Sequence, residues 1–426
     1  RDRSEPTMTP FQYKNGVLHA DDVSLANIAD AVGTPFYCYS ETAIVSQFDA
    51  YISAFAGQDI RVCYAMKAND NLAVLRALAV RGAGTDVVSG GELKKALVAG
   101  IPADRIIFSG VGKQVWEIDQ ALAAGIGCFN VESRSELDKL AERAAVHGTI
   151  APVSIRVNPD VDPGTHPYIS TGLKENKFGV NAVEALALYR LAADHPSLKV
   201  IGLDCHIGSQ ISDIQPFEDA LLRLLPLVDQ LSREHISLEH LDLGGGLGVT
   251  YQNEAALDPV AYAQMVDKHL ADRELTIMLE PGRSLVANAG ILLTRVITIK
   301  ENENRHFAVA DAAMNDLIRP ALYQSWQDVK PISEVATAKP QHFDIVGPIC
   351  ETGDFLAKSR ELSLTEGDLV AIFSSGAYGF VMSSNYNSRP RAAEILVDGD
   401  HAVVIRERES LSDLWRGETT LPPEGG

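Results

Sequence analysis

Lys67 lies in the stretch Tyr64-Ala65-Met66-Lys67-Ala68-Asn69, behind a β-rich run at 60–65 and ahead of helical spacing at 71–78. That spacing puts it at the C-terminal end of a strand. In parallel α/β folds this end carries the chemistry, and a lysine among apolar neighbours gives up its proton easily enough to form a Schiff base. An arbitrary lysine is a solvated surface group, so the weight falls on its company. Asp86 stands in Thr85-Asp86-Val87-Val88-Ser89-Gly90-Gly91-Glu92, at the end of another strand-like run. His206 follows a strand in Asp204-Cys205-His206-Ile207-Gly208-Ser209-Gln210, and a histidine beside an aromatic cofactor stacks on it. Gly244-Gly245-Gly246-Leu247-Gly248 places four glycines in five positions, which lets backbone N–H groups close around a phosphate. Such a run is by itself equally a plain turn. Glu280 opens Glu280-Pro281-Gly282-Arg283, where a carboxylate serves as general base, metal ligand, partner of a ring nitrogen, or ion-pair partner of Arg283. Together, a nucleophilic lysine, a phosphate cradle, a stacking histidine and one carboxylate describe pyridoxal phosphate better than a metal. No histidine pair or carboxylate cluster has metal-ligand spacing.

The elements that must position these residues follow a rhythm. Strand-like runs fall at 60–65, 84–88, 105–108, 126–131, 152–157, 200–206, 241–243 and 276–280. Helical patterns lie between them, at 91–99, 133–147, 182–193, 216–234 and 259–271 among others. Eight βα units across about 240 residues predict a TIM barrel, which puts the glycine run after strand seven, where such barrels hold phosphate. A doubly wound open sheet is the alternative, since alternation does not by itself close a sheet. Beyond Arg283 the rhythm stops: runs at 291–299, 307–310, 343–346, 368–373 and 393–397 are β-rich with turns between them and no long helical pattern. The expectation is a barrel at 41–283 and an all-β domain, sandwich- or barrel-like, at 284–426, joined by the N-terminal segment 7–40 through a strand at 34–39.

Composition narrows the function classes. A chain of 426 residues, 46% hydrophobic, can bury a large core. With 37 Lys+Arg against 57 Asp+Glu, a net charge of −20 disfavours nucleic acid and anionic membranes as partners. No apolar run approaches the roughly 20 residues of a membrane helix, and no signal-peptide pattern is present, so a cytoplasmic protein is expected. Cys38, Cys63, Cys128, Cys205 and Cys350 are scattered without C-x-x-C spacing and suggest neither disulfides nor zinc. Residues 1–6 read as a solvated tail.

Taken in order from about Phe36 to Pro390, the motifs around Lys67, His206 to Ser209, Gly244 to Gly246, and Glu280 to Arg283, with Cys350-Glu351-Thr352-Gly353-Asp354 and Gly376-Ala377-Tyr378-Gly379, resemble diaminopimelate decarboxylase. This group of pyridoxal-phosphate enzymes is similar to alanine racemase and ornithine decarboxylase; Thr352 stands where serine is commoner. The resemblance implies decarboxylation of meso-2,6-diaminopimelate to L-lysine and CO2, the last step of lysine biosynthesis, by a homodimer whose active sites form at the subunit interface. It also implies roles. Lys67 would hold the cofactor and His206 stack on its ring. Ser209, Gly244, Gly245 and Gly246 would hold the phosphate with Tyr378 closing over it, Glu280 would pair with the pyridine nitrogen, and Asp86, Gly282 and Arg283 complete the cofactor set. Arg283, Arg319 and Tyr323 would take the substrate's distal carboxylate and Glu351 its ammonium, with Tyr378 also in the substrate-binding set, and Cys350, from the neighbouring subunit, would donate the proton. A carboxylate at the ring nitrogen keeps it protonated and the ring a strong electron sink, which favours decarboxylation over the racemase's arginine. Two alternatives stand beside this reading: a decarboxylase of another basic amino acid or polyamine precursor, and a non-catalytic single-barrel cofactor-binding protein, against which the segment after Arg283 speaks.

Overall fold

The structure, a computed structural model, describes residues 10–173, 176–303, 305–336 and 338–421; the tail expected at 1–6 lies outside the described residues. The chain divides into two compact units. One is Ala43–Asn288, and the other combines the segment ending at Thr42 with everything from Ala289 onward.

The first unit is a closed barrel of eight parallel strands. They are β1 (Ile60–Ala65), β2 (Gly84–Val87), β3 (Ile106–Phe108), β4 (Cys128–Val131), β5 (Ala151–Arg156), β6 (Leu198–Asp204), β7 (His240–Asp242) and β8 (Thr276–Leu279). Closure rests on β8 pairing with β1, Ile277 opposite Ile60 and Leu279 opposite Val62, which decides for the barrel over the open sheet. The strands are short and mostly buried, as befits strands covered on both faces. Inside the barrel, Cys63, Ile107, Cys128, Ile201 and Met278 pack as one cluster. Helices start where short polar side chains satisfy the first free N–H groups. Ser89 accepts from the Glu92 N–H, Ser133 from Glu136 and Asn181 from Glu184, opening helices Gly90–Val98, Arg134–Val146 and Ala182–Asp194. Helix Val115–Ala124, which periodicity does not single out, begins at a reciprocal Gln114–Glu117 cap.

The second unit is built on a nine-stranded sheet in the order Phe355–Leu362, Gln341–Val346, Arg305–Ala310, Gly290–Asn302, Phe36–Ser40, Ala393–Asp398, His401–Arg406. Leu369–Ile372 pairs antiparallel with the long strand, and Val329–Pro331 pairs in turn with Leu369–Ile372. The expected N-terminal strand is present at Phe36–Ser40, antiparallel to Gly290–Asn302 and parallel to Ala393–Asp398. Its inward Phe36 and Cys38 pack with Ile291, Leu293, Ile395 and Val397. Two strands that the sequence reading did not single out, Phe355–Leu362 and His401–Arg406, lie at the ends of the sheet; the first exposes polar side chains such as Lys358 and Ser359, the second leaves Val403 and Val404 exposed. Among the described residues no helix is long and apolar enough to cross a membrane.

Candidate active site

Lys67 sits in a short 3-10 turn, Met66–Ala68, directly after β1. The turn is clamped by the Tyr64 hydroxyl, which donates to the Asn69 carbonyl at 2.9 Å, and Asn71 then caps the next helix by accepting the Ala73 N–H. Lys67 Nζ donates to Asp86 Oδ2 at 2.9 Å, a partly exposed ammonium against a fully buried carboxylate at the adjacent strand end. The two are neighbours because Ala65 and Asp86 are opposed in the β1–β2 ladder.

Across the barrel mouth the strand ends meet at the glycine run. A Cβ on Gly245 would stand 2.1 Å from the Glu280 carbonyl oxygen, and Gly246 has φ +111°, so this path is open only to glycine. The run is stitched to both neighbours: the Gly244 N–H donates to Asp242 Oδ1 at 2.8 Å, and the Glu280 N–H donates to the Gly244 carbonyl at 2.7 Å. The Gly245 N–H donates to His206 Nδ1 at 3.2 Å. A backbone amide cannot accept, so Nδ1 is the unprotonated nitrogen. Burial, reinforced by Arg156 and Lys67, pushes the His206 pKa well below its usual range, which keeps the imidazole neutral and fit to lie against a ring. Next to it, Ser209 Oγ accepts from Arg283 Nη2 at 3.0 Å and Nε at 3.3 Å, while Arg283 Nη1 donates to the Tyr251 hydroxyl at 2.6 Å.

Behind this rim lies a group that sequence reasoning missed. Carboxylate oxygens of Asp204, Asp242 and Glu280 lie within 4.8 Å of one another, and all three residues are buried. Their strands explain it: Asp204 and Asp242 are opposed in the β6–β7 ladder, and Glu280 follows β8. Arg156, at the end of β5, stands 3.9 Å from Asp204 and 3.3 Å from Glu132 and stacks on Phe178. Burial and then the charge of Asp242 push the Glu280 pKa far up, and burial pushes Asp242 up to about 6. The one sequence signal was an aspartate at the last position of β6 and again of β7. Tyr251 carried no signal at all.

The other expected site residues lie in the second unit. Arg319 is buried at the start of the short helix Arg319–Tyr323, its guanidinium 5.4 Å from the Tyr323 ring centroid. Cys350 and Glu351 are exposed on a loop folded by Asp354, whose carboxylate accepts the N–H groups of Met314 and Ile349 at 2.7 and 2.8 Å. The Cys350 N–H donates to Asn387 Oδ1 at 2.8 Å, and the Tyr386 hydroxyl reaches Glu351 Oε2 at 3.4 Å. Tyr378 adopts a left-handed backbone, φ 54°.

The barrel mouth fits a planar, phosphorylated pyridine aldehyde. It offers an amine on Lys67, a neutral imidazole at His206, a cradle that no Cβ can enter, and at Glu280 a buried Oε1 with no hydrogen-bond partner among the described residues. A family model described as "Pyridoxal-dependent decarboxylase, pyridoxal binding domain" matches residues 41–287. The chain thus belongs to the pyridoxal-dependent decarboxylases, with pyridoxal 5'-phosphate as cofactor. The diaminopimelate decarboxylase of Pseudomonas aeruginosa is 55% identical over 415 residues, 97% of this chain and 100% of its own. The solved diaminopimelate decarboxylase of Helicobacter pylori complexed with L-lysine matches with a TM-score of 0.89 at 43% identity, over 92% of this chain and 98% of its own. That of M. jannaschii, also in complex with L-lysine, gives 0.91 at 39% identity over 97% and 98%. Within the decarboxylases, this chain belongs to the diaminopimelate decarboxylase family.

Proposed function

We propose that the chain decarboxylates meso-diaminopimelate to L-lysine in the cytoplasm, as the last step of lysine biosynthesis, and that it works as a homodimer with shared active sites. Pyridoxal phosphate supplies the electron sink for the pair left when CO2 departs. The chain's own residues do the rest. Lys67 tethers the cofactor through its amine, with Asp86 as its ionic partner. His206, held neutral, presents a ring face without adding charge beside the sink. The glycine run with Ser209 and Arg283 takes the phosphate, Tyr378 covers it, and Glu280 keeps a proton at the ring nitrogen. The observation that carries this reading is the buried Glu280 carboxyl, tied by its own N–H to the phosphate turn and left with an oxygen unsatisfied by any protein donor among the described residues. Such a group costs stability unless a ligand donor meets it.

Substrate choice rests on the distal amino-acid head, which carries both a carboxylate and an ammonium. Arg319 and Tyr323, with Arg283, receive the carboxylate, and Glu351 of the partner chain receives the ammonium. Cys350, beside Glu351, would supply the proton that replaces the departed CO2. Measured side by side, CO2 release from diaminopimelate should far exceed release from lysine, ornithine or arginine. Arg319→Ala should lower kcat/KM for diaminopimelate by about a hundredfold or more, the effect of a buried charge left without its partner. Equal turnover of ornithine or lysine would transfer the chain to the decarboxylases of other basic amino acids.

A further inference from the structure

The mechanism above leaves Asp242 without a task, although it is fully buried and lies at the bottom of the cofactor site. Its Oδ1 is engaged by the Gly244 N–H at 2.8 Å. Its Oδ2 is buried and has no donor among the described residues, nor has Asp204 Oδ1; Glu280 Oε1, likewise without a donor, is the atom left for the ring nitrogen. Asp204 has a countercharge in Arg156, 3.9 Å away. No ion pair with a cation is recorded for Asp242 or Glu280 among the described residues, and their carboxyl oxygens lie within 4.8 Å of each other. A buried carboxyl oxygen without a donor, as at Asp242 Oδ2, is satisfied when it or a carboxyl close by keeps its proton. Ionised together in this setting Asp242 and Glu280 would repel strongly, because the barrel interior screens poorly.

We propose that Asp242 is a positioning residue: its carboxyl shares one proton with Glu280, and this bridge holds the Glu280 carboxyl in place for the cofactor's ring nitrogen. The inference rests on the reading that Glu280 meets that nitrogen. The backbone reinforces it, because Gly244 joins the two acids, donating to Asp242 and accepting from the Glu280 N–H at 2.7 Å. The phosphate turn and the nitrogen partner are therefore set by one unit of structure.

The surroundings favour a retained proton. Asp86 and Asp204 add negative charge to Glu280, opposed by Lys67, and Arg156 draws down Asp242. Glu132 shares Arg156 with Asp204. The neighbouring thiols Cys63, Cys128 and Cys205 are pushed up by burial and stay protonated, and His206 is neutral. Burial raises Asp242 to about 6, against the hydrogen bond from the Gly244 N–H and the contact with Glu280, which both lower it.

The test compares Asp242→Asn, Asp242→Ala and Glu280→Gln in the full chain. An asparagine amide donates permanently where the shared proton sat, and its oxygen still accepts the Gly244 N–H. Three readouts are taken. In the cofactor-free protein, the infrared band of a buried protonated carboxyl should change in both Asp242→Asn and Glu280→Gln, because two groups carry it. In the holoenzyme, Asp242→Ala should lower kcat by about fiftyfold or more with KM nearly unchanged, while Asp242→Asn stays within about fivefold of the parent. The alkaline limb of kcat that reports loss of the bridging proton should be absent in Asp242→Asn. An infrared band that survives Asp242→Asn unaltered, or an Asn variant as impaired as Ala, overturns the proposal. Full activity in Glu280→Gln would instead remove the reading of Glu280 on which it rests.

Discussion

Replacing Gly245 by alanine would put a methyl carbon 2.1 Å from the Glu280 carbonyl oxygen, where side-chain carbons do not approach closer than 3.0 Å. The obstacle is backbone, so no rotamer change relieves it, and the turn must retreat from the end of β8 by about 1 Å, an overpacking cost of about 1–3 kcal/mol. The retreat also strains the 2.7 Å bond from the Glu280 N–H to the Gly244 carbonyl and the Gly245 N–H contact with His206. Binding of pyridoxal phosphate requires the turn to come back, so the same free energy appears in affinity, and Kd should rise about 5- to 150-fold. The assay is titration of the cofactor-free protein with pyridoxal phosphate, followed by absorbance, with the thermal midpoint measured alongside. Gly112→Ala is the control, since a Cβ there meets nothing within 4 Å, and it should bind as the parent does. A Gly245→Ala protein whose Kd stays within about twofold of the parent would refute the assignment of this turn as the phosphate cradle.

Three further outcomes are expected. Borohydride should fix the cofactor to Lys67, found by peptide mapping, and Lys67→Ala should bind it without a covalent bond; labelling of another lysine would move the site. Mixing inactive Lys67→Ala chains with inactive Cys350→Ala chains should restore part of the activity, because a mixed dimer assembles one complete site; no recovery despite proven subunit exchange would place both residues in one chain. His240 is buried, its pKa drawn down to about 4 by burial and then Arg61. Its folded value lies below the unfolded value of about 6.5, so between these the unfolded chain binds more protons and stability falls as pH drops, by about 3 kcal/mol in all. Urea midpoints at pH 7 and pH 5 should show a smaller difference in His240→Gln than in the parent, and an equal difference would assign the acid limb elsewhere.

Much of this site is written in short stretches. Lys67 follows a strand and precedes a capped helix, and the glycine run carries its own conformational demand. Cap residues such as Ser89, Ser133 and Asn181 mark helix starts by chemistry that reaches only two or three positions along the chain. Periodicities and turn residues are local, so one sequence suffices to read them. The roles proposed for Cys350, Glu351 and Arg319 rest on family resemblance alone, because nothing in their local spacing distinguishes them from surface or core groups.

Long-range pairing belongs to the tertiary structure. The barrel closes only because Ile277 on the last strand pairs with Ile60 on the first. The strand Phe36–Ser40 lies between Gly290–Asn302 and Ala393–Asp398, segments far along the chain. Tyr251 meets Arg283, and Asp204, Asp242 and Glu280 come together as one acidic group, through strand register that no local pattern encodes. Whether a carboxyl is charged depends on which others face it and how little water remains between them. The sequence by itself supplied the carboxyl groups, and closure of the barrel decided that they stand buried within 4.8 Å of one another.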